Sequence, residues 1–163
     1  MENETASGKR LTMTILMTPD LVNFAGNVHG GAILRYLDQA AYSCAARYSG
    51  QYVVTLSVDQ VFFREPIHVG ELVTFKASIN YTGKTSMEVG IKVIAEDTRS
   101  KTTRHVMSSF FTMVSVDKDR KPCDVPPLVL ENDVERRRNE QAKIRRKLRA
   151  DYEASSQAVR QVP

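Results

Sequence analysis

The chain has 163 residues, 42% of them hydrophobic and 26% charged, with a formal net charge of +4. That length and composition suit one domain with a sizeable core plus an appended segment, and argue against a disordered or membrane-embedded body. No apolar run reaches the roughly 18 residues of a membrane span, and residues 1–10, expected to be disordered, lack the apolar centre of a signal peptide, so a cytoplasmic protein without membrane insertion is expected.

Residues 12–17 form a short β-prone run that ends at the turn signal Thr18-Pro19-Asp20. Next comes a polar loop, Asn23-Phe24-Ala25-Gly26-Asn27-Val28-His29-Gly30-Gly31, rich in residues that tolerate positive φ and bond their own backbone. From Ala32 the period becomes helical. Ile33, Leu34, Leu37, Ala41, Cys44 and Tyr48 recur at the spacing of a buried face, and Ser49-Gly50 supplies a C-terminal cap, which predicts a helix of about four turns. Cys44 on that face and Cys123 beside Pro122 in a predicted loop argue against a structural disulfide.

Beyond the helix the period changes to two. Strands are predicted over 53–63, 72–81, 85–96 and 103–116, separated by Arg64-Glu65-Pro66, Gly70, Thr82-Gly83-Lys84 and the polar residues 97–101. One helix before a run of long antiparallel strands is an α+β pattern, a curved sheet wrapped around a central helix. Such a sheet leaves an open edge, and pairing with a second copy is the simplest cover. After a proline-rich exit over 117–127, residues 134–150 carry a weak helical pattern and a cluster of eight Lys and Arg. That cluster reads as a solvated helix face or as a site for nucleic acid, acidic lipid or ligand phosphates. Residues 155–163 are expected to be disordered.

Two features carry chemistry. A helix N-terminus presents unpaired amides and a partial positive charge, suited to an oxygen that becomes negative during reaction, and Gly30 and Gly31 lack the Cβ that would keep a substrate away. Asp38 lies two turns further on, beside the apolar stripe with Leu34, Ala41, Tyr42 and Ala45, where a carboxylate needs a partner or a task.

Gly26-Asn27-Val28-His29-Gly30-Gly31 followed by Leu37-Asp38, with Pro19-Asp20, Asn23, Val58-Asp59, Phe62-Phe63, Pro66-Ile67, Gly70-Glu71 and residues 83–89, resembles the hotdog-fold acyl-CoA thioesterases, in the branch of the brain-type and bacterial long-chain acyl-CoA hydrolases. The resemblance spans about residues 11–127 and leaves 128–163 as a basic C-terminal helix and tail. It implies a homo-oligomer, at least a dimer and by family analogy a trimer of dimers, with the active site at a subunit interface. It also implies an acyl-CoA substrate, no metal, and no cofactor beyond the CoA of the substrate.

In that reading the amide near Gly31 polarises the thioester carbonyl, a contribution of about 3 kcal/mol. Asn23 positions water or faces the thioester. Asp38, with a pKa raised by burial, acts as general base or as nucleophile through an anhydride. His29 and Gly30 support the substrate, and the CoA phosphates draw on Arg64, on Lys84 with Thr85 and Ser86, and on Arg104.

Alternatives remain open at this level. His29 reads either as catalytic or as a loop histidine that bonds backbone; Cys44 reads as core rather than nucleophile; His68 and His105 show no metal-ligand spacing with the cysteines. Phe62, Phe63, Phe110 and Phe111 read as core and interface, with some lining an acyl channel. A non-catalytic acyl-CoA sensor on the same fold is the main rival. A hotdog dehydratase lacks an acidic partner for His29, and nucleic-acid binding finds no aromatic-basic platform in the strands.

Overall fold

The computed structural model describes residues 8–160. The backbone divides into two compact units, one ending at Pro127 and the other beginning at Leu128. In the first, strand β1 (Arg10–Leu16) leads through a 3₁₀ turn (Pro19–Leu21) and the polar loop to helix α1 (Gly30–Ser49). Strands β2 (Tyr52–Val58), β3 (Glu71–Thr82), β4 (Ser86–Asp97) and β5 (Thr103–Val116) follow. They form one antiparallel sheet in the order β1-β3-β4-β5-β2.

The core is the space between α1 and the sheet. Ile33, Leu37, Ala40, Ala41, Cys44 and Ala45 of α1 are buried, as are the alternating Val73, Phe75, Ala77 and Ile79 of β3 and Met87, Val89, Ile91 and Val93 of β4. Tyr36 leans on Phe75 with ring centroids 6.0 Å apart. These alternating positions follow the period of two expected for the strands, because each strand has one wall against the helix.

Several expectations are corrected. Helix α1 has 20 residues rather than about four turns, starting at Gly30 and ending on Gly50 in the left-handed region, φ 67°. Its buried stripe runs through Ala40 and Ala45, while Leu34 is 39% exposed and Tyr48 half-buried. The strand expected over 53–63 stops at Val58, since its ladder with β5 closes at Val58 opposite Phe111 and Asp59 N–H donates to Phe110 O at 3.0 Å. The disordered N-terminus does not extend to residue 10: Lys9 is buried and Arg10 begins β1; residues 1–7 lie outside the described residues. Of the four phenylalanines, Phe111 is core, whereas Phe62 and Phe63 are 58% and 48% exposed.

The second unit contains helix α2 (Asp133–Arg160), ten residues longer than expected at its C-terminal end. The disorder expected from residue 155 is therefore corrected to helix as far as Arg160, and residues 161–163 lie outside the described residues. Its start is capped: Asn132 Oδ1 accepts from Glu135 N–H at 3.0 Å, and Glu135 Oε2 accepts from Glu131 N–H at 2.8 Å. Among the described residues no helix is long and apolar enough to cross a membrane.

Candidate active site

The polar loop is built by Asn23. Its Oδ1 accepts from Ala25 N–H at 2.9 Å and Asn27 N–H at 3.1 Å, its own N–H donates to Asn27 O at 2.7 Å, and Gly26, at φ 80°, closes the turn. With that oxygen engaged, the side-chain amide nitrogen is the end of Asn23 that can meet a ligand. The loop is then fastened on both sides, Val28 N–H to Ile67 O at 2.8 Å and His29 N–H to Leu21 O at 2.7 Å.

His29 is the N-cap of α1 through its backbone, its carbonyl accepting from Ala32 at 3.0 Å and Ile33 at 3.2 Å, while its exposed ring makes no cap bond. The amides of Gly30 and Gly31 therefore precede the first bonded amide of the helix. A Cβ at Gly30 would stand 3.3 Å from the Phe63 ring, whereas one at Gly31 would meet nothing within 4 Å. Gly30 thus accommodates Phe63, and Gly31 faces open space.

Asp38 departs from expectation in two ways. It is exposed in the single chain, together with Leu34 and Tyr42 on the same face, so the burial anticipated for it is not supplied by its own subunit. It also has a partner that sequence reasoning missed: Thr55 Oγ1 donates to Asp38 Oδ1 at 2.6 Å. A β-bulge between Thr55 and Ser57 breaks the β2–β5 register just beyond this residue. Nothing in a β-branched strand residue seventeen positions downstream announces that contact. The second carboxylate oxygen of Asp38 keeps no partner among the described residues.

The proposed CoA cations are not brought together. Ser86 pairs with Val114 and Ala95 with Arg104, so Lys84, Thr85 and Ser86 lie at one end of the β4–β5 ladder and Arg104 at the other, about 30 Å away. The end holding Arg104 is that of the α1 N-terminus, through Val28 and Ile67. The end holding Lys84 is that of the α1 C-terminus, where Lys84 O accepts from Val125 at 2.9 Å and Tyr48 Oη donates to Pro127 O at 3.0 Å.

Arg104 is withdrawn as a CoA ligand. Its guanidinium is occupied by both oxygens of Glu71, at 2.5 and 2.8 Å, by Pro66 O at 2.7 Å and by Glu65 at 3.3 Å. The Glu71 hydrogen bonds raise the pKa of Arg104 further above its usual value. Burial pushes Glu71 up, but the bonds from Arg104 and the His68 amide and the Arg104 charge outweigh it, leaving Glu71 below the usual carboxylate range. Arg64 remains exposed, its guanidinium 6.0 Å from the Phe62 ring centroid.

Cys44 is excluded as a nucleophile, since burial, only partly opposed by the charge of Arg47, pushes its thiol up to about 12. Among the described residues no cluster of three or more His, Cys, Asp or Glu is arranged to hold a metal ion.

A helix laid in an antiparallel sheet, with a polar loop at its N-terminus, has close counterparts. The model of the Thioesterase superfamily matches residues 25–102. A hexameric acyl-CoA thioesterase, solved in its apo form, is 33% identical and superposes with a TM-score of 0.86 over 89% of this chain and 93% of that one. The chain belongs to the hotdog-fold acyl-CoA thioesterase family.

Within reach of this family by sequence is Protein VdlD of Helicobacter pylori, 47% identical over 146 residues, which are 90% of this chain and 83% of that protein. An acyl-CoA hydrolase of Staphylococcus aureus, solved in complex with butyryl coenzyme A, coenzyme A and coenzyme A disulfide, is 27% identical with a TM-score of 0.85 over 94% of this chain and 93% of that one. Structures of that enzyme also exist with one aspartate, one threonine or one asparagine replaced by alanine, the last in complex with coenzyme A.

Proposed function

We propose that this acyl-CoA thioester hydrolase cleaves fatty acyl-CoA to fatty acid and CoA with Asp38 as its acid-base centre, at a site completed by a second copy of the chain. The observation that carries the reading is the Asp38 carboxylate, held on one oxygen by Thr55 at 2.6 Å and open on the other, on the helix whose first amides face open space at Gly31. The Staphylococcus aureus variants add support. The asparagine, aspartate and threonine replaced there follow one another at intervals of fifteen and seventeen residues, the intervals that separate Asn23, Asp38 and Thr55 here.

The thioester carbonyl accepts from the amide at Gly31, which stabilises the oxyanion as it forms. Water lies between the Asn23 side-chain amide, a donor that orients it, and the free oxygen of Asp38, which accepts its proton. Thr55 fixes the Asp38 rotamer by donating to its other oxygen. Direct attack by Asp38 through an anhydride uses the same geometry and is distinguished by single-turnover labelling: hydrolysis in heavy-oxygen water places the label in the enzyme only on the covalent route.

Oligomerisation is part of the proposal. Strand β2 is a sheet edge with Tyr52, Val54, Leu56 and Val58 exposed at 41–67%, and Asp38 and Thr55 stand beside it uncovered. Pairing this edge with a second copy would bury the strip and bring the partner's polar loop towards Asp38; a trimer of dimers, in keeping with the hexameric relative, is the assembly we propose. His29, Gly30 and Arg64 then serve the substrate from the α1 N-terminal end, and Lys84, Thr85 and Ser86 serve the CoA phosphates only from a neighbouring copy. The free thiols Cys44 and Cys123 suit the reducing cytoplasm.

The test is release of free thiol from acyl-CoAs of two to sixteen carbons by the wild type and by Asp38→Asn. Release that is lost in the variant supports the reading. A folded wild type that binds acyl-CoA and releases no thiol from any chain length would replace it with a non-catalytic sensor.

A further inference from the structure

Helix α2 takes no part in the chemistry above, and its own surface is divided into distinct faces. Projected at 100° per residue, Val134, Ile144, Leu148, Tyr152 and Val159 fall within a stripe about 80° wide. All five are exposed, between 45% and 75%. The opposite side of the helix holds its buried residues, Glu135, Asn139 and Ala142. The apolar stripe is therefore exposed, where a helix belonging only to its own subunit would carry polar residues.

Charge borders the stripe. Exposed Arg137 lies within it, and exposed Arg136, Lys143 and Lys147 line one side. Arg138, Arg145 and Arg149, half-buried and bonded elsewhere, line the other. Two acids near the stripe are neutralised along the helix, Asp133 by Arg136 at 2.9 Å and Glu140 by Lys143 at 2.7 Å; Asp151 is the third. With nine basic and five acidic residues, α2 holds the whole formal charge of the chain, +4, and the remainder is neutral.

We propose that α2 docks the protein on anionic lipid surfaces, lying in the interface plane with Ile144, Leu148, Tyr152 and Val159 between the headgroups and Arg136, Arg137, Lys143 and Lys147 against the lipid phosphates. Such a surface uses both features at once. A second copy of α2 would meet like charge with like charge and bring Arg137 into the middle of an apolar seam, and the gap from Val134 to Ile144 breaks any heptad. A nucleic acid would engage the cations and leave the apolar stripe in water. The inference does not depend on the thioesterase reading, and vesicle binding is measured without substrate.

The full chain contains no Trp, so Tyr152→Trp provides a single emission probe. Its emission is expected to move to the blue on addition of vesicles of phosphatidylcholine with 30% phosphatidylglycerol, and to stay in place with phosphatidylcholine alone. Sedimentation with the anionic vesicles is expected to fall about tenfold or more in Ile144→Asp/Leu148→Asp, and again in Lys143→Glu/Lys147→Glu, and to fall for the wild type on raising salt. Circular dichroism and thiol release from a short-chain acyl-CoA check that these variants remain folded. Absence of wild-type sedimentation with anionic vesicles at low salt overturns the proposal. So does a smaller oligomer in Ile144→Asp/Leu148→Asp, on gel filtration, without any wild-type vesicle binding, because the stripe would then be an interface between copies.

Discussion

Two polar clusters flank the core of this domain, and they differ in how completely they are satisfied. Around Arg104, Glu71 gives both oxygens, Pro66 a carbonyl, Glu65 a second charge, and His68 N–H completes the Glu71 carboxylate at 2.8 Å. Around Asp38 a single bond to Thr55 holds one oxygen and leaves the other open. A saturated network contributes to stability, because every group would be costly to expose alone, whereas the proton acceptor we propose at Asp38 needs an oxygen left open. The lesson concerns Arg104: its type and its place at a strand end suit a phosphate ligand, but its donors are spent.

The sharpest way to break the comparison is Asp38→Ala. Thiol release is expected to drop by about a thousandfold while the thermal midpoint changes little, since within its own subunit the removed group makes a single bond, to Thr55. An Asp38→Ala protein that unfolds as readily as an Arg104 variant would erase the distinction. Conversely, Arg104→Met leaves the mostly buried Glu71 carboxylate uncompensated; a loss of about 3 kcal/mol in urea denaturation is expected, with turnover per folded molecule retained.

Gly31→Ala probes the open helix end. Its added Cβ meets nothing within 4 Å, so stability should hold or rise, while the closer approach needed by a thioester carbonyl is blocked and kcat falls about tenfold or more. Thr55→Val removes the Asp38 bond at nearly constant shape. We expect about a tenfold lower kcat, restored by Thr55→Ser, at a stability cost of about 1 kcal/mol.

The smallest effect is on acid stability. Because the pKa of Glu71 is lowered in the folded state, its contribution is fully present above the ordinary glutamate range and is lost as pH falls through the lower folded value. Glu71→Gln should therefore flatten the acid limb of the stability curve below about pH 4.3, and an unchanged limb would mean that the network does not titrate with folding.

Much of the domain was legible in the chain. Strand β5 has the bounds predicted for it, and the inward faces of β3 and β4 follow from strict alternation, because a sheet with one wall against a helix leaves that period in its residues. The polar loop and the helix start at the glycines were visible because backbone geometry there demands particular residue types. The premature end of β2 was not, since Val-Phe-Phe is β-prone whether or not a neighbouring strand remains to pair with it.

By itself, then, the order of residues determined most of the local elements, the centre of the buried stripe of α1 at Ile33, Leu37, Ala41 and Cys44, and the placing of Asp38 two turns beyond the helix start, all of which depend on periods and backbone preferences within a few residues. Only the tertiary structure decided which polar groups meet: Thr55 with Asp38, Glu71 with Arg104, and Lys84 at the end of the sheet away from Gly31. Those pairings join residues separated by seventeen positions or more, or divide residues of like chemistry. No local preference encodes them, because they follow from which strands pair, in what register, and where a bulge redirects a side chain.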